Sequence, residues 1–213
     1  CGRPGETPLK HGTFSADYLA AYVAATWGIA AVRGRERAGA GHHIDVSSAE
    51  ALAALFVGAQ NIGNVAQDGV YETRSGIGMP LGAPATILPC KDGHVWMIAL
   101  EPGQWHGLRR AVGGPEWARI DMFDDMFARA QNADVIYPML EEWTRQHTKQ
   151  EVMDLCQANN CPTTALFSVA EVAGHPHLAA RGFFRDIEHA ALGKVCSLGA
   201  PIRLPDTACG PRR

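Results

Sequence analysis

The sequence predicts an α/β protein in two parts, and three observations lead to this prediction. A long Ala-rich helical pattern opens the chain, β-rich runs flank an Asp92-Gly93 turn, and helical patterns with capping residues follow. Residues 62–85 contain so many Gly, Pro, Asn, Asp and Ser residues that we expect a long loop between the parts. A length of 213 residues allows one large or two small domains.

The first part is predicted to contain two helices and a short strand. Ser15 has the spacing of an N-cap, and apolar residues recur at helical intervals over residues 18–32. Arginines over residues 33–37 suit the negative end of the helix dipole, and the glycines that follow should end the helix. Polar and apolar residues alternate over residues 43–47, as in a strand, and a second helix is expected from Ala49 to about Asn61.

The second part is predicted to mix hairpins with helices. Its first hairpin pairs Ala85–Cys90 with His94–Leu100, and Thr148 with Glu151 matches a capping box at the start of a helix. The other expected elements are helices over 103–111, 132–146 and 149–157, a strand over 163–167, a helical turn over 169–173, and strands over 183–188 and 195–198.

Composition and charge exclude several functional classes. A net charge of −3 argues against a nucleic-acid scaffold, and no apolar run approaches the ~20 residues that span a bilayer. Six cysteines are too sparse for a disulfide scaffold, so we expect reduced thiols and a cytoplasmic protein. The paired histidines, His42-His43 and His175 with His177, lack the further ligands of a metal site, and no metal is expected.

Both ends of the sequence are abrupt. It begins Cys1-Gly2-Arg3 without an initiator Met or a signal peptide, and it ends on Arg212-Arg213. We therefore expect the chain to be a fragment of a longer protein.

Several distinctive motifs follow one another along the chain. They are Ser15-Ala16-Asp17-Tyr18 before a long Ala-rich helix, Arg35-Glu36-Arg37-Ala38-Gly39-Ala40-Gly41, His43-Ile44-Asp45-Val46-Ser47, Cys90-Lys91-Asp92-Gly93, Cys161-Pro162, His175-Pro176-His177-Leu178 with Arg181-Gly182, and Gly199-Ala200-Pro201-Ile202. In this order they resemble family III CoA-transferases, the group of formyl-CoA and carnitine-CoA transferases and, as a relative, 2-methylacyl-CoA racemase. Each motif is weak alone, but their order is specific, and together they span nearly the whole chain.

The resemblance implies a fragment of the family III fold that lacks the N-terminal half, which holds most of the CoA. Residues 1–65 would then belong to the large domain, 66–85 to a linker, 86–190 to a small α/β domain, and 191–213 to a segment returning to the large domain. It also implies an interlocked homodimer in the full-length protein, acyl-CoA and carboxylic acids as substrates, and no tightly bound cofactor. Neither nucleic acid nor a membrane is expected as a partner.

Asp17 is the candidate nucleophile that the resemblance implies. A carboxylate at a helix start is stabilised as an anion by the helix dipole, and it can attack a thioester to form a mixed anhydride. Without the resemblance, Asp17 would be read as an ordinary acidic residue of a first helical turn. The expected activity is CoA transfer through an aspartyl anhydride and an enzyme–CoA thioester, of the EC 2.8.3 kind, with the fragment inactive alone.

Glu101 leaves an alternative open. Ala99-Leu100-Glu101-Pro102 resembles the racemase relatives, in which this glutamate and the aspartate are acid/base groups for epimerising a 2-methylacyl-CoA. Against this, Tyr18-Leu19-Ala20-Ala21 looks more like the carnitine-CoA type. Glu101 can equally be a helix-start acid before Pro102.

Gly76 and Gly78, with Gly82, are candidate substrate-binding residues, since transferases of the family carry a glycine-rich loop here. A plain linker role is equally compatible with this sequence, because consecutive glycines are absent. A third hypothesis is of another class, a silent fragment that only dimerises. Residues 1–61 should expose a large apolar patch when isolated, so we predict aggregation or poor solubility for that segment.

Overall fold

The computed structural model describes residues 2–10, 12–54, 57–71, 73–74, 82–204 and 206, and the side chains of residues 57–61 lie outside that description. The chain forms two compact units, residues 1–80 and residues 81–213. Helices dominate the described part of the first unit, and the second combines helices with small antiparallel sheets. The predicted α/β class is confirmed.

Helices α1 (Ser15–Ala38), α2 (Ser48–Ala54) and α3 (Val57–Asp68) form the described regular structure of the first unit. The long helix α1 ends where the glycines predicted an end. Gly39 adopts a left-handed φ of 70°, and its N–H donates to the Arg35 carbonyl at 2.8 Å. A residue with a Cβ would be strained in this conformation, so Gly39 is the residue type that this helix end requires.

Three local predictions for the first unit are wrong. Ser15 is the first residue of α1 rather than its cap, a position held by Phe14. Residues 43–47 form no strand, because a strand needs a hydrogen-bonded partner and the described part of this unit contains no other strand. The loop predicted from residue 62 onward begins later, because helix α3 extends to Asp68. The cost of Gly63 within this helix, about 1 kcal/mol, is small enough for neighbouring residues to offset.

The second unit contains the predicted hairpin, the other predicted strands and the predicted helices, with boundaries shifted by a residue or two. Its elements are β1 (Ala85–Cys90), β2 (Gly93–Ile98), α4 (Pro102–Ala111), 3-10 helices at Glu116–Arg119 and Asp121–Asp124, α5 (Met126–Gln131), α6 (Ala133–Thr144), α7 (Lys149–Ala158), β3 (Thr163–Ala165), α8 (Val169–Ala173), α9 (Pro176–Ala180), β4 (Phe184–His189) and β5 (Gly193–Leu198).

An antiparallel sheet in the order β1-β2-β3 forms the centre of this unit, and β4 pairs with β5 separately. Cys90 pairs with Gly93, so Lys91 and Asp92 form a two-residue turn between β1 and β2. The Asp92 carboxylate accepts a hydrogen bond from the Lys149 backbone N–H at 2.7 Å, which ties this turn to the start of α7. The predicted capping box of α7 is present, with Thr148 and Glu151 bonded reciprocally.

The hydrophobic core of the second unit lies between this sheet and helices α4, α6 and α7. Trp105 is fully buried, and Trp117 and Trp143 are partly buried and pack against the same cluster. The other fully or nearly fully buried side chains of the cluster are Leu88, Val95, Met97, Ala99, Leu108, Ala118, Phe123, Ile136, Leu140, Val152, Cys156 and Cys161. Across the described residues, no helix combines the length and apolar content that crossing a membrane requires.

Candidate active site

Asp17 lies in the first turn of α1, as the sequence predicts. Phe14 is the N-cap, so Asp17 is the third helical residue, and the first helical hydrogen bond joins Tyr18 N–H to the Phe14 carbonyl at 3.1 Å. Backbone N–H groups ahead of this bond have no partner within the helix. The Asp17 carboxylate therefore sits at the positive end of a 24-residue helix, where the dipole favours an anion.

The surroundings of Asp17 are open. Asp17 is exposed, and in the described part of the chain its carboxylate takes part in no hydrogen bond or ion pair. Helix α1 buries none of its residues, and Tyr18 and Tyr22 are 64% and 71% exposed. The large apolar surface predicted for this part of the chain is therefore present.

Glu101 is placed differently from Asp17. It belongs to the second unit and is the N-cap of α4, directly before Pro102. The Gln104 side-chain oxygen accepts hydrogen bonds from the backbone N–H groups of Leu100 and Glu101, at 3.0 and 3.2 Å. This arrangement is a capping box, so the start of α4 accounts for an acidic residue at position 101.

Arg129 holds the backbone just before Glu101, and its role was not predicted. Its side chain is fully buried, and its Nη2 donates to the carbonyls of Ala99 and Leu100 at 3.0 and 2.8 Å. Burial lowers the pKa of Arg129, an effect opposed by Asp125 and Asp124. The sequence contains one sign that Arg129 is buried, because this arginine lies within the otherwise apolar run Met126–Ala130, which forms a short helix.

The three candidate glycines of the predicted loop have different outcomes. Gly76 and Gly78 lie outside the described residues. Gly82 is buried, and a Cβ added there would lie 2.5 Å from a methyl carbon of Leu100. Close packing against Leu100 therefore explains this third glycine.

Local structure accounts for the described histidine pair and for the arginines at the end of α1. The His175 ring lies 4.9 Å from the Phe167 ring, and its Nδ1 accepts the His177 backbone N–H, which caps α9. Among the described residues, no group of three His, Cys, Asp or Glu side chains converges as a metal site would require. Arg35 and Arg37 lie exposed in the last turn of α1.

Comparison with known proteins identifies the family. The model of CoA-transferase family III matches residues 1–213. The alpha subunit of succinyl-CoA–L-malate CoA-transferase from Chloroflexus aurantiacus is 30% identical over 212 residues, which cover 97% of this chain and 48% of that protein. A formyl-CoA:oxalate CoA-transferase from Rhodopseudomonas palustris is 30% identical over 138 residues, 62% of this chain and 32% of the relative.

A solved structure gives the same result. The crystal structure of a CaiB/BaiF family protein from Brucella suis matches with a TM-score of 0.75 and 27% identity, covering 100% of this chain and 56% of that one. The chain thus spans about half the length of the malate transferase subunit and of the Brucella protein. With the family model matched from the first residue to the last, the chain belongs to CoA-transferase family III.

Proposed function

We propose that this chain carries the nucleophile of an enzyme that moves CoA between an acyl-CoA thioester and a free carboxylate. The observation that carries the proposal is Asp17, an exposed carboxylate in the first turn of α1, in a chain of CoA-transferase family III. The relatives named above act, by their names, on short acids such as malate and oxalate. We extend this substrate class, small carboxylic acids and their CoA thioesters, to the full-length protein.

The proposed reaction is a series of acyl transfers through Asp17. Its carboxylate attacks the thioester carbonyl and expels CoA thiolate, which leaves a mixed anhydride of Asp17 and the donor acyl group. The thiolate then attacks the aspartyl carbonyl, so the donor leaves as a free carboxylate and Asp17 becomes a CoA thioester. The acceptor carboxylate attacks this thioester and releases thiolate, and attack of the thiolate on the new acyl group regenerates Asp17.

The helix start suits these steps electrostatically. The helix dipole, which is positive at the first turn, stabilises a carboxylate by about 0.3–1 kcal/mol at an exposed site. The same dipole can stabilise the negative charge that forms on oxygen when the aspartyl carbonyl is attacked.

The rest of the protein is proposed to cover this site. An anhydride in open water hydrolyses, and Asp17, Tyr18 and Tyr22 are all exposed in this chain. We propose that the other half of the sequence and a second subunit, in an interlocked homodimer, exclude water in the full-length enzyme. On this proposal the 213-residue chain alone is inactive and the holoprotein works in the cytoplasm, where the free thiols of the described cysteines would stay reduced.

A trapping experiment tests the proposal. The full-length protein is incubated with succinyl-CoA, quenched, digested and weighed, and we expect a CoA or succinyl adduct on the peptide that contains Asp17. Asp17→Asn should lose the adduct and slow transfer to L-malate by at least about a thousandfold. Asp68 is an exposed aspartate at the end of α3, so Asp68→Asn is the matched control. This variant should keep both the adduct on the Asp17 peptide and the rate of transfer to L-malate.

Two results would count against transfer at Asp17. An adduct that persists in Asp17→Asn would place the nucleophile elsewhere. No adduct, together with solvent deuterium entering the α-carbon of a 2-methylacyl-CoA, would favour epimerisation by Asp17 and Glu101.

A further inference from the structure

A basic depression on the second unit has no part in the proposed transfer. It is open to solvent, has a volume of about 460 Å³, and is lined by His106, Arg109 and Arg110 of α4, by Gly114, and by Arg119 of the following 3-10 helix. None of these described lining residues carries a carboxylate, although the whole chain has a net charge of −3. Positive charge is therefore concentrated here against the overall balance of the protein.

Two of the guanidinium groups are held in place by partners at the rim. Arg109 Nη1 donates to the Asp124 carboxylate at 3.1 Å, and His106 Nε2 lies 3.5 Å from the same oxygen. Arg110 donates to the Asn159 side-chain oxygen and backbone carbonyl, at 3.3 and 3.1 Å. These contacts reduce the conformational entropy that binding a ligand would cost.

The third guanidinium belongs to Arg119, and it is packed over a glycine. A Cβ on Gly114 would lie 3.1 Å from Arg119 Nη2, and the φ of Gly114 is +66°. A larger residue would strain this turn and push the guanidinium away. In the described part of the chain, Arg119 and Arg110 form no ion pair, so their charges are not neutralised by a carboxylate.

We propose that this depression is a binding site for a phosphate-bearing anion, either free diphosphate or the diphosphate portion of a nucleotide. Guanidinium groups bind phosphate oxygens through pairs of charge-assisted hydrogen bonds. Three of them arrive from two different elements, which suits the several tetrahedrally arranged oxygens of phosphate better than the single plane of a carboxylate. The volume lies within the range of small-molecule pockets, about 300–1,000 Å³.

Calorimetric titration of the chain with diphosphate tests this site. At an ionic strength of about 0.01 M, where the Debye length is about 30 Å, we expect saturable binding that weakens as salt is added. Arg119→Gln should weaken binding about tenfold, because one pair of charge-assisted hydrogen bonds is lost. Arg145→Gln removes the same charge from an exposed arginine elsewhere on this unit, one paired with Glu141, and should leave binding unchanged. Thermal unfolding of each variant checks that the fold is intact.

Three outcomes would overturn the proposal. They are the absence of saturable binding at low salt, an equal loss in Arg145→Gln, and succinate binding as tightly as diphosphate. ADP, whose two phosphates form a diphosphate group, separates the two sources of the ligand: tighter binding than diphosphate assigns the site to a nucleotide, and equal or weaker binding assigns it to free diphosphate. The site and the proposed transfer at Asp17 can each fail without the other, because this titration involves no acyl-CoA.

Discussion

Replacing Arg129 by methionine tests what holds the second unit together around Glu101. The guanidinium group uses all five of its N–H donors, and its carbon lies 4.7 Å from the centre of the Trp105 ring. The acceptors are the backbone carbonyls of Ala83, Phe123, Asp124, Ala99 and Leu100. Methionine can occupy the space of the arginine stem, but it donates no hydrogen bond.

The expected cost is about 4 kcal/mol of unfolding free energy. The bonds to Ala83, Phe123 and Ala99 are buried, and each stranded carbonyl costs about 1–3 kcal/mol. The two part-buried carbonyls can bond to water, and removing a desolvated charge returns part of the loss. Arg145→Met deletes the same charge from the surface and should change the free energy by less than about 0.5 kcal/mol.

Urea unfolding followed by tryptophan fluorescence measures this difference. Four of the five tryptophans lie in residues 81–213, so the signal reports mainly on the second unit. A cost for Arg129→Met below about 1 kcal/mol, or equal to that of Arg145→Met, would refute the idea that the guanidinium holds these carbonyls. Arg129→Lys should fall between the wild type and the methionine variant, because lysine keeps the charge but has three donors.

Two further predictions concern helix α4 and the contact between α7 and α8. Gly107→Ala should lower the free energy of unfolding by several kcal/mol, because the new Cβ would overlap the Asn159 carbonyl. Gly103→Ala, which has open space around it in the same helix, should raise the free energy of unfolding by roughly 0.5–1 kcal/mol. Urea unfolding of both variants checks this contrast. The pKa of Glu171 is lowered from 4.5 to about 2, first by a hydrogen bond from Lys149 and then by hydrogen bonds from Ser168. The ionised Glu171 carboxylate therefore stabilises the folded protein fully above about pH 4.5, and this contribution is lost as the pH falls toward 2. Glu171→Gln should remove this part of the acid dependence, and an unchanged pH profile in the variant would contradict the assignment.

Local chemistry made the second unit predictable. The turn at Asp92 and the capping box of Thr148 with Glu151 are formed by residues close in sequence, and both are present. Pairing of a strand with a distant segment cannot be predicted from local chemistry in this way. Residues 43–47 have the alternation of a strand, but alternation supplies no hydrogen-bonded neighbour, and they form no strand here.

The candidate site shows the same division between local and tertiary information. Asp17 could be placed in a first helical turn from the helical pattern that follows it, and its residue type pointed to a nucleophile only through the family resemblance. Arg129 could not be found in this way. Three of its five acceptors, the carbonyls of Ala83, Ala99 and Leu100, lie 46, 30 and 29 residues away in the sequence, and their convergence depends on the packing of the whole unit.

The two candidate carboxylates differ in how much of the fold depends on them, and this determines how their variants can be interpreted. Glu101 begins α4 in a capping box, so its replacement would disturb a helix start, at a cost of about 1 kcal/mol, as well as any chemistry. Asp17 contributes at most a dipole interaction of about 0.3–1 kcal/mol. Asp17→Asn should therefore unfold almost like the wild type. A thousandfold loss of transfer in that variant would then reflect the missing nucleophile rather than a damaged fold.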